Sequence, residues 1–227
     1  MSLIMPGSIR ANIANILFTL GCVKFGEFRL KLHERKPDAP LSPIFLNLRT
    51  PENPKPGPIT SGVLQQIIYE LEEFIRGHRI PMDGVCGIPN AGTPIVEALS
   101  AFYTPPLAHI TLLKEESDGK RKISGIGQHA HFVPGNIILL FDEVISEEDS
   151  KLEAINILRK NGFIVNDVVV IVDREMGGRA ELRKIGVELH ALFTLNELCQ
   201  HYVETGRVTP EQADRVATYL AMCDLDS

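Results

Sequence analysis

From Ser61 onward the chain repeats one pattern: a short apolar run, a polar or glycine-bearing turn, then apolar residues at helical spacing. The runs are "DGVCGIP" (83–89), "LAHITLLK" (107–114), "NIILLFD" (136–142), "FIVNDVVVIVD" (163–173) and "GVELHALFTL" (186–195). Continuous apolar runs of this length are strands buried on both faces, and the helical segments between them supply the covering layers. The alternation predicts an α/β fold built on a doubly wound, mostly parallel sheet. In such sheets ligands sit beyond the carboxyl ends of the strands. Those ends are Pro89, Lys114, Asp142 and Asp173, and each runs into a polar or glycine-rich turn.

The first 60 residues read differently. Ser8 to Leu20 predicts a helix with Ile9, Ile13, Ile16, Leu17 and Leu20 on one face. "FRLKL" (28–32) alternates and predicts a strand, with "IFLNLR" (44–49) as its antiparallel partner. "HERKPDAPLSP" (33–43) and the four-proline "TPENPKPGPIT" (50–60) are loops. The expected division is therefore a helix- and strand-containing cap over 1–60 and a core over 61–227. Within the core, Val63, Ile67, Leu71 and Phe74 predict a first helix, and Leu152, Ile155 and Leu158 predict another after Asp142. Two helices close the chain near 195–205 and 209–222, the second capped by Thr209 with Pro210 in its first turn. "EESDGKRKISGIGQHAHFVPG" (115–135) reads as a long polar loop, and loops of that length in a compact domain are usually functional or mobile.

Composition excludes several classes. With 227 residues and 44% hydrophobic content, the chain can bury one good core. A net charge of −6, with Lys120-Arg121-Lys122 as the only dense basic run, argues against a nucleic-acid surface. No stretch approaches a membrane span, and Pro6, Gly7 and Arg10 break the first apolar residues, so neither a signal peptide nor a membrane partner is expected. Cys22, Cys86, Cys199 and Cys223 are scattered without a C-x-x-C pair, which fits a reducing cytoplasm rather than a zinc cluster or a disulfide framework. His129 and His131 lack nearby acids and read as polar loop, not a metal pair.

The chemistry concentrates at 142–150. Asp142 and Glu143 are adjacent acids ending a buried strand, an expensive arrangement unless they hold something. The following turn, Ser146-Glu147-Glu148-Asp149-Ser150, lies where α/β proteins cradle phosphate with glycines and bare N–H groups. Here it carries three carboxylates, and each one within about 4 Å of a phosphate would cost on the order of 1–4 kcal/mol. The acids have another use. Ser146 and Asp149 approximate a capping box, and acids in a first turn complement the helix dipole, so the helix would carry its own substitute for an anion.

Four segments, in order, resemble the orotate phosphoribosyltransferases, a branch of the type I phosphoribosyltransferases: "FRLKL…SPIFLNLR", "GIPNAGTPIVEAL", "IILLFDEVISEEDSKLEAINILRKNG" and "VDREMGGRAELRKIGVELHALFTL". The "DRE-x-GG" group in the last is distinctive for the orotate branch. The resemblance spans about Phe18 to Leu198 and implies the type I phosphoribosyltransferase fold. It implies that Lys31, Phe45 and Arg174 orient the base and that Asp142 and Glu143 hold the ribose hydroxyls. Ser146 and Ser150 would face the 5′-phosphate. Lys114, with Mg2+ bound mainly through the diphosphate, would neutralise the leaving group. The substrates would be phosphoribosyl diphosphate and orotate or a related base, and the protein a cytoplasmic homodimer with shared sites.

Two departures fall on that chemistry. The family's turn runs threonine-threonine-glycine-glycine-serine, against the acidic turn here. Its flexible loop begins arginine-lysine-glutamate with a second lysine three places after the first. Here Leu113 replaces the arginine, Lys114 is kept and Ser117 stands for the second lysine, leaving Lys120, Arg121 and Lys122 as candidate substitutes. Two readings follow: phosphoribosyl transfer to orotate or a similar base, or a non-catalytic paralogue binding a nucleobase or nucleoside without a 5′-phosphate. A third is a changed substrate that presents a cation to the acids.

Overall fold

The computed structural model describes residues 4–30, 33, 37–117, 120–129, 132–145 and 149–225. Lys31, Ser146, Glu147, Glu148 and His131 lie outside the described residues, as do the side chains of Ser117, Lys120, Arg121, His129 and Asp149. The capping-box reading of the acidic turn falls with them. The chain divides into two compact units, one of residues 1–63 with 194–227 and one of residues 64–193. The terminal helices thus join the N-terminal segment, whereas the sequence placed them with the core.

The first unit holds α1 (Ile9–Thr19), β1 (Val23–Phe28), β2 (Ser42–Leu46), α6 (Leu195–Glu204) and α7 (Pro210–Leu225). Ser8 caps α1, its hydroxyl accepting the Ala11 N–H at 3.1 Å. The buried stripe of α1 is Ala11, Ile13, Ala14 and Leu17, while Ile9 and Leu20 are exposed. Tyr202 of α6 explains why the C-terminal helices belong here. Its ring packs on Phe18 at 4.9 Å, and its buried hydroxyl donates to the Ala14 carbonyl at 2.9 Å. The two strands pair antiparallel as expected, Val23 opposite Leu46. However, β1 lies at 23–28 rather than 28–32. Beyond the strand, His33 Nδ1 accepts the Leu30 N–H at 2.9 Å, and the His33 N–H donates to the Leu30 carbonyl.

The second unit contains α2 (Ser61–His78, whose first residues belong to the other unit), β3 (Gly84–Gly87), α3 (Gly92–Phe102), β4 (His109–Ser117), β5 (Lys120–His129), β6 (Ile138–Ile145), α4 (Asp149–Lys160), β7 (Asp167–Asp173), α5 (Gly178–Lys184) and β8 (Glu188–Thr194). The sheet order is β5-β4-β3-β6-β7-β8, with β4–β3, β3–β6 and β6–β7 parallel and β4–β5 antiparallel. This is the mostly parallel α/β sheet that the alternation predicts. Ala154, Ile155 and Leu158 of α4 are wholly buried against strands β6 and β7, through residues such as Leu140 and Val168. The stripe of α2 runs through Leu64, Ile67, Ile68, Leu71 and Ile75, rotated slightly from the predicted face, with Val63 and Phe74 half-buried.

The expected loop over 115–135 is corrected by the structure. Most of it is strand: β4 extends to Ser117 and β5 runs from Lys120 to His129 as a long hairpin arm. The cause is tertiary. Ile123 is buried in the core, and its N–H donates to Glu153 of α4 at 3.1 Å. Burial pushes the thiols of Cys22 and Cys86 up to about 12, so both are inert core groups at neutral pH. No helix among the described residues is long and apolar enough to cross a membrane.

Candidate active site

The chain leaves β3 for β4 and β5 on one side, then crosses back to β6, β7 and β8 on the other. The winding reverses between β3 and β6, and the crevice beyond their carboxyl ends is where a doubly wound sheet binds its ligand. Three segments meet there: the 87–92 loop after β3, Asp142 and Glu143 near the end of β6, and the turn after β7.

The 87–92 loop is pressed onto β6. The Ile88 N–H donates to the Phe141 carbonyl at 2.8 Å, and the Gly92 N–H to the Ile88 carbonyl at 2.8 Å. Lys114, inside β4, donates from Nζ to the Pro89 carbonyl at 2.9 Å. Its ammonium therefore lies on the "GIPNAGTP" loop. The second loop cation expected of the resemblance is absent at Ser117, but the hairpin register sets Lys120 directly across from Ser117. Lys122, exposed, stands across from Glu115.

Asp142 is buried, and both of its carboxylate oxygens are engaged. Oδ1 accepts the Glu143 N–H at 2.9 Å, and Oδ2 lies 2.7 Å from Nζ of Lys151. Lys151 belongs to the first turn of α4 and is itself only 4% exposed. Glu143 is buried beside Asp142, and Ser150 is half-buried in the same helical turn as Lys151. Sequence reading did not single out Lys151. A signal was present: a lysine in a helix's first turn opposes the macrodipole.

The β7 turn is built by Asp173 and Arg179. Ile145 and Asp173 are register partners, so Arg174 follows level with the end of β6, its N–H donating to the Ile145 carbonyl at 3.3 Å. Asp173 accepts the Glu175 N–H at 2.8 Å, holding Glu175 at φ 57°, a conformation non-glycine residues rarely adopt. Gly177 follows at φ 80°. The other Asp173 oxygen pairs with Arg179 Nη2 at 3.2 Å, and Arg179 Nη1 donates to the Leu189 carbonyl at 2.6 Å. One guanidinium thus ties the turn that carries Arg174 to β8. Replacing Arg179 with alanine should cost about 1–3 kcal/mol in urea unfolding, since it strips a partner from a buried carboxylate. Arg179→Lys should recover only part of this, because a point charge cannot serve both partners. An unchanged midpoint for Arg179→Ala would mean the turn is held by its backbone alone.

Asp142, Glu143, Lys114, Arg174 and Ser150 therefore belong to one unit and to the carboxyl ends of its strands or the turns that follow. Phe45 lies half-buried in β2 of the other unit, its ring 5.6 Å from that of Phe28. Among the described residues, no group of three or more His, Cys, Asp and Glu side chains is placed to hold a metal ion.

No protein-family model matches the chain. Individual relatives do. The uridine 5′-monophosphate synthase of Bos taurus is 29% identical over 205 residues, which is 90% of this chain and 39% of that protein. The orotate phosphoribosyltransferase of Methanocaldococcus jannaschii is 27% identical over 190 residues, 83% of this chain and 96% of the relative. The solved UMP synthase of Leishmania donovani superposes with a TM-score of 0.73 at 26% identity, over 95% of this chain and 43% of that one. The chain is similar to orotate phosphoribosyltransferases over most of its length. It spans about two fifths of the length of the two synthases and nearly all of the archaeal relative. That similarity accounts for the fold and fits the "DREMGGR" turn. It does not account for Lys151 or the acidic 147–149 run.

Proposed function

We propose that the protein transfers a phosphoribosyl group from its diphosphate to orotate or a closely related base. The observation that carries this reading is the position of Lys114, whose ammonium sits on the loop that the resemblance puts against the diphosphate. The bond between the anomeric carbon and the diphosphate oxygen breaks as the base nitrogen forms its bond to that carbon. Charge accumulates on the departing diphosphate, and a fixed cation there stabilises it with little reorganisation. Lys114 is assigned that role. Lys120 is assigned the place of the missing loop lysine, a reading supported by its register opposite Ser117. Arg174 is assigned to the carboxylate of the base, with Lys31 and Phe45 beside the base on the strength of the resemblance alone. Glu143 is assigned to the ribose hydroxyls, with Asp142 joining it only where the ligand displaces the Lys151 ammonium, and Ser146 and Ser150 to the 5′-phosphate. The protein would act as a homodimer.

Asp142 does not fit direct coordination of magnesium. Both Asp142 oxygens are taken, one of them by an ammonium. Magnesium would arrive on the diphosphate, screening its charge, with no protein carboxylate required.

The test is loss of orotate ultraviolet absorbance in the presence of phosphoribosyl diphosphate and magnesium, with diphosphate release measured in parallel. Turnover that falls at least about 100-fold in Lys114→Ala supports the reading, a loss comparable to deleting one transition-state charge donor. No turnover with orotate, uracil or other free pyrimidine bases overturns it. One observation favours the second reading, a binding paralogue without a 5′-phosphate ligand: the acid assigned to the ribose is already ion-paired from within. In that case orotate or its nucleoside binds in calorimetry while phosphoribosyl diphosphate does not.

A further inference from the structure

Between residues 142 and 151 the sequence carries five carboxylates and one cation, Lys151. That cation is not spread over the acidic surface. It folds inward, 4% exposed, and its one ion-pair partner among the described residues is Asp142 at 2.7 Å. Nothing about the helix asks for it. A positive charge in a first turn opposes the macrodipole, and stripping water from an ammonium is costly. An apolar side chain there would join Ala154, Ile155 and Leu158 on the buried side of α4. The lysine makes sense through what it does to Asp142. A carboxylate with one oxygen on a backbone N–H and the other on an ammonium keeps only the lone pairs those donors leave, and the ammonium beside them repels a divalent cation and competes with a pair of hydroxyls.

We infer that Lys151 is a specificity-determining residue, a tethered cation that closes Asp142 to divalent metal and to the vicinal hydroxyls of a ribose phosphate. A ligand reaches Asp142 only by displacing the ammonium, so Lys151 sets how weakly this strand end holds such ligands. Lys151 acts through Asp142 and is not itself a catalytic residue. The identity of the hydroxyl ligand rests on the proposed phosphoribosyl reading; the closure to metal does not.

The test uses Mn2+ alone, counted by electron paramagnetic resonance of the free ion, and ribose 5-phosphate by calorimetry with and without Mn2+. Wild type, Lys151→Met and the double variant Asp142→Ala/Lys151→Met are compared. Lys151→Met should bind Mn2+ at least about tenfold more tightly than wild type, and Mn2+ should tighten its ribose 5-phosphate affinity by a similar factor. Both gains should vanish in the double variant, which separates Asp142 from the acids of the 147–149 turn. A merely structural lysine predicts no gain at all. Equal Mn2+ affinity in wild type and folded Lys151→Met overturns the proposal. Should Lys151→Met not fold, wild type decides: an affinity for ribose 5-phosphate that ignores Mn2+ supports the closure, and a tenfold tightening sinks it. Orotate turnover with no Mn2+ gain in Lys151→Met would leave the transferase reading standing and this inference failed; the reverse pattern would do the opposite.

Discussion

Asp142→Ala should lower stability by about 3–5 kcal/mol, the usual consequence of leaving one member of a buried ion pair alone. The pair has side-chain exposures of 5% for Lys151 and 9% for Asp142, so solvent cannot take over the lost bond. For a chain of this size each kcal/mol is worth roughly 2–4 °C of melting temperature, so the expected fall is on the order of 6–20 °C. Lys151→Met should also destabilise, but less, because Asp142 keeps the Glu143 N–H. The decisive comparison is the double variant Asp142→Ala/Lys151→Met. With both charges gone neither member of the pair is left buried without its partner, and replacing a buried pair by hydrophobic groups is often neutral or better. The double variant should therefore be more stable than Asp142→Ala by a few kcal/mol, roughly 2 or more. If the two single effects simply add, the two side chains do not interact and the pairing is wrong.

That pair also marks where sequence reading stops. Strands β6 and β7 are legible because a strand covered on both faces excludes polar residues until it ends. Asp173 announces the end of β7, while Asp142 announces the start of chemistry inside β6, which runs on to Ile145. The crevice position follows from the same pattern, since the alternation implies the winding. Strand β5 is not legible in this way. Its apolar residues, Ile123 and Ile126, are diluted by Lys120, Arg121, Lys122, Gly125 and Gly127. It forms because β4 offers an edge and Glu153 of α4 accepts the Ile123 N–H, and neither is local. The shift of β1 from 28–32 to 23–28 has a similar origin, in the pairing of Val23, Lys24 and Phe25 with Leu46, Phe45 and Ile44 of β2. Lys151 lies one residue beyond the turn that the family's phosphate signature covers. Its placement against the dipole is visible in the sequence, but the acid it folds onto is a tertiary fact. The same holds for Arg179, whose two ends meet Asp173 and the carbonyl of Leu189. The side chains that would contact a ligand are mostly readable from motif and strand end, whereas those that hold them are not.

Gly92→Ala should be the most damaging single-methyl change in the site. A Cβ at Gly92 would stand 2.2 Å from the Phe141 carbonyl oxygen, and one at Gly87 would stand 2.4 Å from the Gly92 oxygen. Both obstacles are backbone, so no side-chain rotation relieves them. The same Phe141 oxygen accepts the Ile88 N–H, so making room means lifting the 87–92 loop off β6 and breaking that bond. Overpacking of this kind costs about 1–3 kcal/mol where side chains yield, and the upper end or more is expected here. Gly62 gives the control. It lies in α2, and a Cβ there would meet nothing within 4 Å, so Gly62→Ala should be neutral or gain up to about 1 kcal/mol. The two variants measured side by side in thermal unfolding separate close approach from glycine content. The loop also carries the carbonyl that Lys114 holds, so Gly92→Ala should weaken binding of inorganic diphosphate while Gly62→Ala leaves it unchanged. Equal stability of the two variants would mean that the loop does not lie against β6, and the crevice between β3 and β6 would lose one of its walls.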